Sequence, residues 1–339
     1  MRKIPVEKAV GKKIAHDITR IIPGEFKGVG FKKGHLIREE DIPELLKLGK
    51  KYIYVMDHKA GVLHEDDAAR RIARAISGDN LRLSSPSEGK ILIQATCDGL
   101  LRVNARSLLR LNRMGNLIIS TLKDLFPCRR DQTVAATRII PLTISARKVQ
   151  RLEEVCRKWG PVLQVLPFRR LHVGAVVTGS EIFEGLVRDG FDEYVGTKIS
   201  SYGCKLVEKV FCPDDAEQIA LSIIDVKERG AQVILITGGL SVDPDDVTKS
   251  GIRRSGARIL FHGTPVLPGA MFLYAKLEDT VLLGLPACVY YHQSTVFDLV
   301  FPRVLAGLDI TRDEMARMGH GGLCLNCPTC RYPVCPFGK

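Results

Sequence analysis

The chain has 339 residues, of which 45% are hydrophobic and 26% charged, with a formal net charge of +12. That length accommodates two or three domains with real cores, and the composition excludes a disordered or fibrous protein. No apolar run approaches the roughly 18 residues of a membrane span, and the charged start Met1–Lys8 lacks the apolar centre of a signal peptide, so a cytoplasmic protein without a membrane partner is expected.

Residues 1–83 read as a β-rich α+β unit. Two glycine turns precede a short helix near Glu39–Leu48, a strand at Tyr52–Val55, and a helix at Glu65–Ser77 with Ala68, Ile72, Ala75 and Ile76 on one side. Residues 84–170 form a second, basic α+β unit: a strand at Ile91–Thr96, a basic helical stretch, the alternating "TVAATRIIPLTIS", a helix at 147–159 and the strand "VLQVLPF". Within 101–150, ten Lys and Arg stand against two Asp. On a helix, Arg102, Arg106, Arg110 and Arg113 would line one face. Such a face is either plainly solvated or a docking surface for an acidic partner or anionic ligand. No aromatic residues interleave with these arginines, so nucleic acid is not expected as a partner.

From Leu171 the pattern changes to strands alternating with helices. "LHVGAVVTG", "LVEKVFC", "AQVILITGG", "ARILFHG", "FLYAKLE" and "TVLLGLP" are strands. Helices are expected at Phe191–Tyr202, after Pro213, at Asp245–Ser255 and over Cys288–Leu305. This alternation implies an α/β domain over 171–307, a parallel sheet in three layers.

Two strand ends look alike: Thr178-Gly179-Ser180-Glu181 and Thr237-Gly238-Gly239-Leu240-Ser241. In an open parallel sheet, ligands bind beyond the carboxyl ends of the strands. Glycine lets the backbone approach a ligand or take positive φ, and free N–H groups with hydroxyls suit a phosphate. Carboxylates stand nearby at Asp214, Asp215, Asp243, Asp245 and Asp246. Each of Asp214, Asp215 and Asp246 has two readings. One is a helix cap; the other, for Asp214 and Asp246, is a shared metal site beside the phosphate.

The last sixteen residues hold four of the ten cysteines, in the pattern Cys324-x₂-Cys327-x₂-Cys330-x₄-Cys335-Pro336. A Gly/Pro-rich tail (308–339) with no hydrophobic periodicity offers such thiols no core, so a metal is expected. The spacing is one residue longer than the bacterial ferredoxin run and keeps the trailing proline, which points to [4Fe–4S]. Zinc also accepts four cysteinates. His320 is a possible substitute ligand, although a histidine beside two glycines is more often a loop residue. The other six cysteines are expected to be thiols without disulfides.

Taken together, "TGSEI", "PDD", "ITGGLSVDPDDV", "FHGTPVLPGA", "VLLGLP" and "FDLVFPRVLAG" resemble the molybdopterin-binding domain, over residues 171–307. That domain is shared by molybdopterin adenylyltransferases, molybdopterin molybdenumtransferases and CinA-like proteins. The "FHG…PG" and "GLP" motifs with the closing helix are similar to the molybdenumtransferase branch. So are "VEKAVGKKIAHDI" and "FKKGHLIREEDIPELLKLG" near the start. The resemblance implies a transferase of molybdenum cofactor biosynthesis that binds molybdopterin, often adenylylated, and inserts molybdate with Mg²⁺, releasing AMP. It assigns Thr178, Gly179, Ser180 and Glu181 to the first cofactor-binding loop, and Gly238, Gly239 and Ser241 to the second. Asp246 and Asp214 become the catalytic carboxylates, and Pro268, Gly269, Gly284 and Pro286 belong to pterin-side loops.

This chain departs from the family pattern. Ser180 stands where Asp is usual, Asp243 where Gly is usual, and Leu267 and Ala270 where lysines flank the Pro-Gly pair. "GLPACVYY" replaces "GLPGNP", residues 56–170 lack "DGYA", and the usual C-terminal barrel does not follow Gly307. These changes bear on insertion more than on pterin binding. A non-catalytic carrier that delivers the cofactor to a molybdoenzyme is therefore the alternative. Expected partners are molybdopterin, molybdate, a molybdoenzyme or another cofactor-biosynthesis protein, and a second copy in a homo-oligomer.

Overall fold

The computed structural model describes residues 1–56, 60–241 and 247–338. Asp243, Asp245 and Asp246, including the carboxylate expected to be catalytic, lie outside the described residues. The chain divides into two compact units.

The first unit comprises Met1–Thr96, Leu101–Asp124 and Arg130–Val165. Stretches 1–83 and 84–170, expected as separate units, lie largely within it, except Cys97–Leu100, Leu125–Arg129 and the residues from Leu166. Val6, Ile14, Ile18, Phe31, Ile37, Leu45, Ile53 and Val55 form one small core under the hairpin of Ile18–Ile22 with Phe26–Phe31. Strands Leu81–Leu83, Lys90–Ala95, Thr133–Ile139 and Leu117–Thr121 make a four-stranded antiparallel sheet. Helices Glu65–Ile76 and Ala146–Trp159 pack against each other. They are tied by Arg71, which donates from Nε and Nη2 to the two carboxylate oxygens of Glu153 at 2.8 and 2.6 Å.

The expected stripe of four arginines does not form. Arg102 lies on the strand Gly99–Val103 and pairs with Asp124 at 3.4 Å. The helix runs only from Ala105 to Asn112, started by Asn104, whose side chain accepts from Ser107 N at 3.0 Å. The Asn cap interrupts the helical register that would have aligned Arg102 with Arg106. Arg110 instead stacks on Trp159, 4.6 Å from the ring centre.

The second unit comprises Cys97–Leu100, Leu125–Arg129 and Leu166–Lys339. Its six-stranded sheet is built from β1 (His172–Thr178), β2 (Lys205–Cys212), β3 (Val233–Thr237), β4 (Arg258–His262), β5 (Leu273–Leu277) and β6 (Thr280–Leu285), in the order β2-β1-β3-β6-β5-β4. The first three strands and β6 run parallel. β4 and β5 are antiparallel additions at one edge, a detail the alternating pattern did not carry. The cause is local: only Glu278 and Asp279 join β5 to β6, and two residues can make a hairpin but no crossover. Glu278 takes the positive φ (53°) that such a turn demands.

Both faces of the sheet are covered, which makes three layers. Val173, Ala175, Val177, Val233, Leu235, Leu283 and Leu285 pack on one side with Phe191, Val195, Ile199 and the closing helix α5 (Val296–Leu305). Val176, Ile234, Ile236 and Leu282 pack on the other side against Ile219, Ile223 and Val226 of α3 (Ala216–Glu228) and Ile252 of α4 (Thr248–Arg254). The continuous apolar runs of the strands follow from this double burial.

The segment 191–202 forms a π-helical turn, Asp192–Gly196, continued by α2 (Thr197–Ser201). Cys288–Leu305, expected as one helix, is a 3₁₀ turn at Ala287–Tyr290 followed by α5. Thr295 and Asp298 close a reciprocal capping box that starts α5 afresh, the signal missed in the sequence. A helix not foreseen there, α6 (Arg312–Arg317), opens on the same device between Thr311 and Glu314. No helix among the described residues is long and apolar enough to cross a membrane.

Candidate functional site

The sheet order fixes where a ligand can enter. β1 has β2 on one side and β3 on the other, so the chain leaves β1 one way and returns across it. The carboxyl ends of β1 and β3 therefore flank a topological switch point, where a crevice opens. Val177 is in register with Thr237, which sets the two glycine loops side by side.

The loops are fitted to each other. Thr178 is buried, and its Oγ1 donates to Thr237 O at 3.0 Å and lies 3.2 Å from Thr248 Oγ1. Gly238 has φ 93° and Gly239 φ 55°. A Cβ on Gly238 would run into the carbonyl oxygen of Thr178, and one on Gly239 into Thr248 Oγ1. These glycines are thus demanded by backbone sense and by the close approach of the first loop.

Asp214 reaches the same edge from the end of β2. Its Oδ2 accepts from Ser180 N at 2.9 Å and Ser180 Oγ at 3.2 Å, and its own N–H donates to Ser180 Oγ at 3.2 Å. The neighbouring aspartate does the capping: Asp215 Oδ1 accepts from Glu217 N at 3.0 Å and Gln218 N at 2.8 Å, starting α3. Ser180, standing where the family pattern has Asp, thus orients Asp214. Glu181 and Ser241 are exposed beside the loops.

The later loops divide. Gly269 is buried with φ 130°, and a Cβ there would strike Val296. Pro268 O accepts from Val296 N at 3.1 Å, so this loop is pinned to the start of α5. Gly284 sits inside β6, where a Cβ would come within 2.9 Å of both Leu240 and Leu273, and Pro286 is buried just after it.

Tyr290 was not singled out in the sequence. Its hydroxyl donates to Thr237 Oγ1 at 3.0 Å, at the end of β3. Burial raises its pKa to about 12, so the phenol stays a neutral donor. Thr248 was missed for the same reason: each meets the crevice only through a contact distant in the chain. On β2, burial works against the charge of Lys209, but Asp192 at 2.6 Å and Asp189 at 2.9 Å outweigh it and raise its pKa.

The tail cysteines line one cavity of about 180 Å³. All are free thiols, with Cys327 exposed and Cys324, Cys330 and Cys335 half-buried. Among the described residues no three His, Cys, Asp or Glu side chains are grouped to hold a metal ion. The four tail thiols share that cavity with eleven other lining residues, among them Ser294, Arg331 and Tyr332.

Comparison with known proteins gives two family matches. Residues 174–306 match the family described as "Probable molybdopterin binding domain". Residues 3–57 match a domain of unknown function, DUF8806. A molybdopterin molybdenumtransferase of Haemophilus influenzae is 26% identical over 150 residues, 42% of this chain and 37% of that protein. A CinA-like protein of Mycobacterium leprae is 33% identical over 81 residues, 24% of this chain and 19% of that one. The chain therefore spans well under half the length of these curated relatives. A solved molybdopterin biosynthesis MoeA protein of Pyrococcus horikosii aligns over 90% of this chain and 74% of its own, at 15% identity and a TM-score of 0.35.

Proposed function

We propose, from the match of residues 174–306 to the family described as "Probable molybdopterin binding domain", that the crevice between β1 and β3 binds molybdopterin, in its adenylylated form, and that the protein is a cytoplasmic molybdenumtransferase-like enzyme that inserts molybdate. The observation that carries this reading is the pair of mutually fitted glycine loops, Thr178–Glu181 and Thr237–Ser241, at the switch point of the sheet.

The backbone N–H groups of Gly238 and Gly239, with the hydroxyl of Ser241, bind the phosphate, while Gly179, whose N–H donates to Cys212 O, and Ser180, whose hydroxyl donates to Asp214, shape the first loop. Pro268-Gly269 and the turn after Gly284, with Pro286, shape the pterin side. Asp214 and Asp246 position Mg²⁺ and molybdate. The donor set suits that ion: both Ser180 bonds fall on Oδ2 of Asp214, so ligation through Oδ1 leaves them intact. Mg²⁺ commonly takes one or two carboxylates and completes its shell with substrate phosphate and water. When bound, it would neutralise phosphate charge and polarise the adenylyl linkage. The tail cysteines belong to this reading as a metal-holding appendage, [4Fe–4S] or zinc, and a molybdoenzyme or a second copy as the macromolecular partner.

One observation favours the carrier alternative. Leu267 is 55% exposed beside the Pro-Gly loop, where the family pattern has a lysine, so a cation for the pterin phosphate is missing at that point.

The deciding experiment is AMP release from adenylylated molybdopterin with Mg²⁺ and molybdate. Wild-type protein should release AMP, and Asp246→Ala should abolish release while retaining pterin. Pterin bound tightly without AMP release would leave the carrier in place of the enzyme. No pterin binding at all would end both readings.

A further inference from the structure

From Gly319 to Gly338 the chain holds a defined path with no helix or strand beyond one isolated bridge. That bridge pairs Leu323 with Leu267, with Leu267 N donating to Gly322 O and Cys324 N to Leu267 O, each at 2.8 Å. Gly338 N donates to Gly321 O at 2.8 Å and closes the segment on itself. Tyr332 OH donates to Asp298 O at 2.9 Å, and Cys330 N to Gln293 Oε1 at 2.9 Å. Little apolar mass holds this loop: Phe337 and Tyr332 are its main anchors in the core. Irregular segments with so little core usually depend on a cross-link or a metal.

We propose that Cys324, Cys327, Cys330 and Cys335, which all line one open cavity, hold a [4Fe–4S] cluster, not zinc. A zinc ion holds its thiolates about 2.3 Å away, so four of them touch one another around it and enclose no cavity. Here all four cysteines line one open cavity of about 180 Å³ together with eleven other residues, room that a single ion does not need. A cuboidal cluster uses such room, with one cysteine at each iron corner.

The surroundings suit it. Tyr332 N donates to Cys330 Sγ at 3.5 Å, and Ser294 Oγ lies 3.1 Å from the same sulfur, where it becomes the donor once the thiol is a thiolate. Hydrogen bonds to cluster sulfurs stabilise its charge and tune its potential. Arg331 also lines the cavity. A [4Fe–4S]²⁺ core with four cysteinates carries two negative charges, which such a neighbour offsets. The histidine on the wall is His292, and His320 is not among the lining residues.

The segment that lines the cavity is continuous with the crevice. Tyr290 hydrogen-bonds Thr237, and Tyr291 to Ser294 follow directly as one wall of the cysteine cavity. The site nonetheless stands independently of the pterin reading, because its occupation is measured without pterin.

The full chain, stripped of metal and kept anaerobic, is given two ferrous and two ferric ions with four sulfides per chain. Each of the four thiols loses its proton on ligation, and no electron need be supplied to reach the 2+ core. About four iron and four sulfide should be retained per chain after desalting, with a brown, air-sensitive absorbance. The double variant Cys327→Ser with Cys330→Ser should lose that iron, whereas Cys156→Ser, a buried thiol of the first unit, should keep it. Should the double variant fail to fold, alkylation of wild-type protein decides: the four tail thiols should be protected when loaded and reactive once the iron is stripped. One tightly held zinc with no iron uptake overturns the proposal, as does retention of neither metal, iron persisting in a folded double variant, or tail thiols equally reactive in both states.

Discussion

The crevice loops and the cysteine tail lie in one compact unit and are ordered by opposite means. The crevice loops are extensions of buried parallel strands. Their shape is set by close backbone approach and by hydrogen bonds of Thr178, Ser180 and Asp214 between loops. The tail has no such scaffold and keeps its path through a few hydrogen-bonded anchors beside a cavity that its four thiols help to line. Packing can therefore hold the first region without any ligand, whereas on the proposal above the second is expected to depend on what its cysteines bind.

The strongest way to break that contrast is Gly238→Val. The added side chain meets Thr178 O at a positive φ, and the cost is expected to be about 3 kcal/mol, read as a lowered urea midpoint together with lost pterin binding. Iron in the tail should survive in whatever folded protein remains. Loss of tail iron in protein still folded by circular dichroism would show that the two regions are not independently ordered.

A smaller change sharpens it. Thr178→Val keeps the shape and removes the hydroxyl that donates to Thr237 O, leaving a buried acceptor short of a partner at a cost of about 1–2 kcal/mol. Pterin affinity should fall in step, since the same bond joins the two loops; a titration showing unchanged affinity would mean that the loops hold their places without it.

The two adjacent aspartates separate structure from chemistry. Asp215→Ala removes a helix cap and should cost about 1 kcal/mol in thermal or urea unfolding without touching pterin affinity or AMP release. Asp214→Asn retains an acceptor for Ser180 and should leave stability intact while lowering AMP release. The reverse pattern would reassign the roles.

The smallest effect at ordinary pH concerns buried tyrosines of the second unit. Burial raises Tyr290 and Tyr274 to about 12 and Tyr332 well above the ordinary value of 10.0. Unfolding lets these phenols ionise at the ordinary value, so above it the unfolded chain binds fewer protons than the folded one. Stability is then fully present below pH 10 and falls as pH rises towards 12. An unfolding titration flat from neutral pH to 10 and declining beyond is expected. Tyr332→Phe should reduce the decline, and a decline starting well below 10 would mean that these hydroxyls are solvated.

Much of the α/β unit was legible because its strands are buried on both faces and read as continuous apolar runs closed by glycine. The two glycine loops and the PDD turn were found by the same pattern, and the structure brings Thr178, Ser180, Asp214 and Gly238 to one edge. Helix caps were the signals overlooked: Thr295 with Asp298 in a capping box broke an expected single helix, and the N-cap Asn104 took Arg102 out of an expected stripe.

By itself the sequence determined what is encoded in local periodicity and spacing: the alternation of strands and helices, the glycines that end two strands, a cap within the PDD turn and the CxxC run. Tertiary structure alone decided what depends on partners far apart in the chain. The order β2-β1-β3 makes neighbours of Thr178 and Thr237, 59 residues apart, and packing carries Tyr290 to the same point from the far side of β6. It likewise sets Ser294 against Cys330 and brings the four thiols, whose spacing pointed to [4Fe–4S] or zinc, to the lining of one cavity. The physical reason is that periodicity records which face of an element is buried, while identity of the neighbour on that face is fixed by chain crossing and close packing.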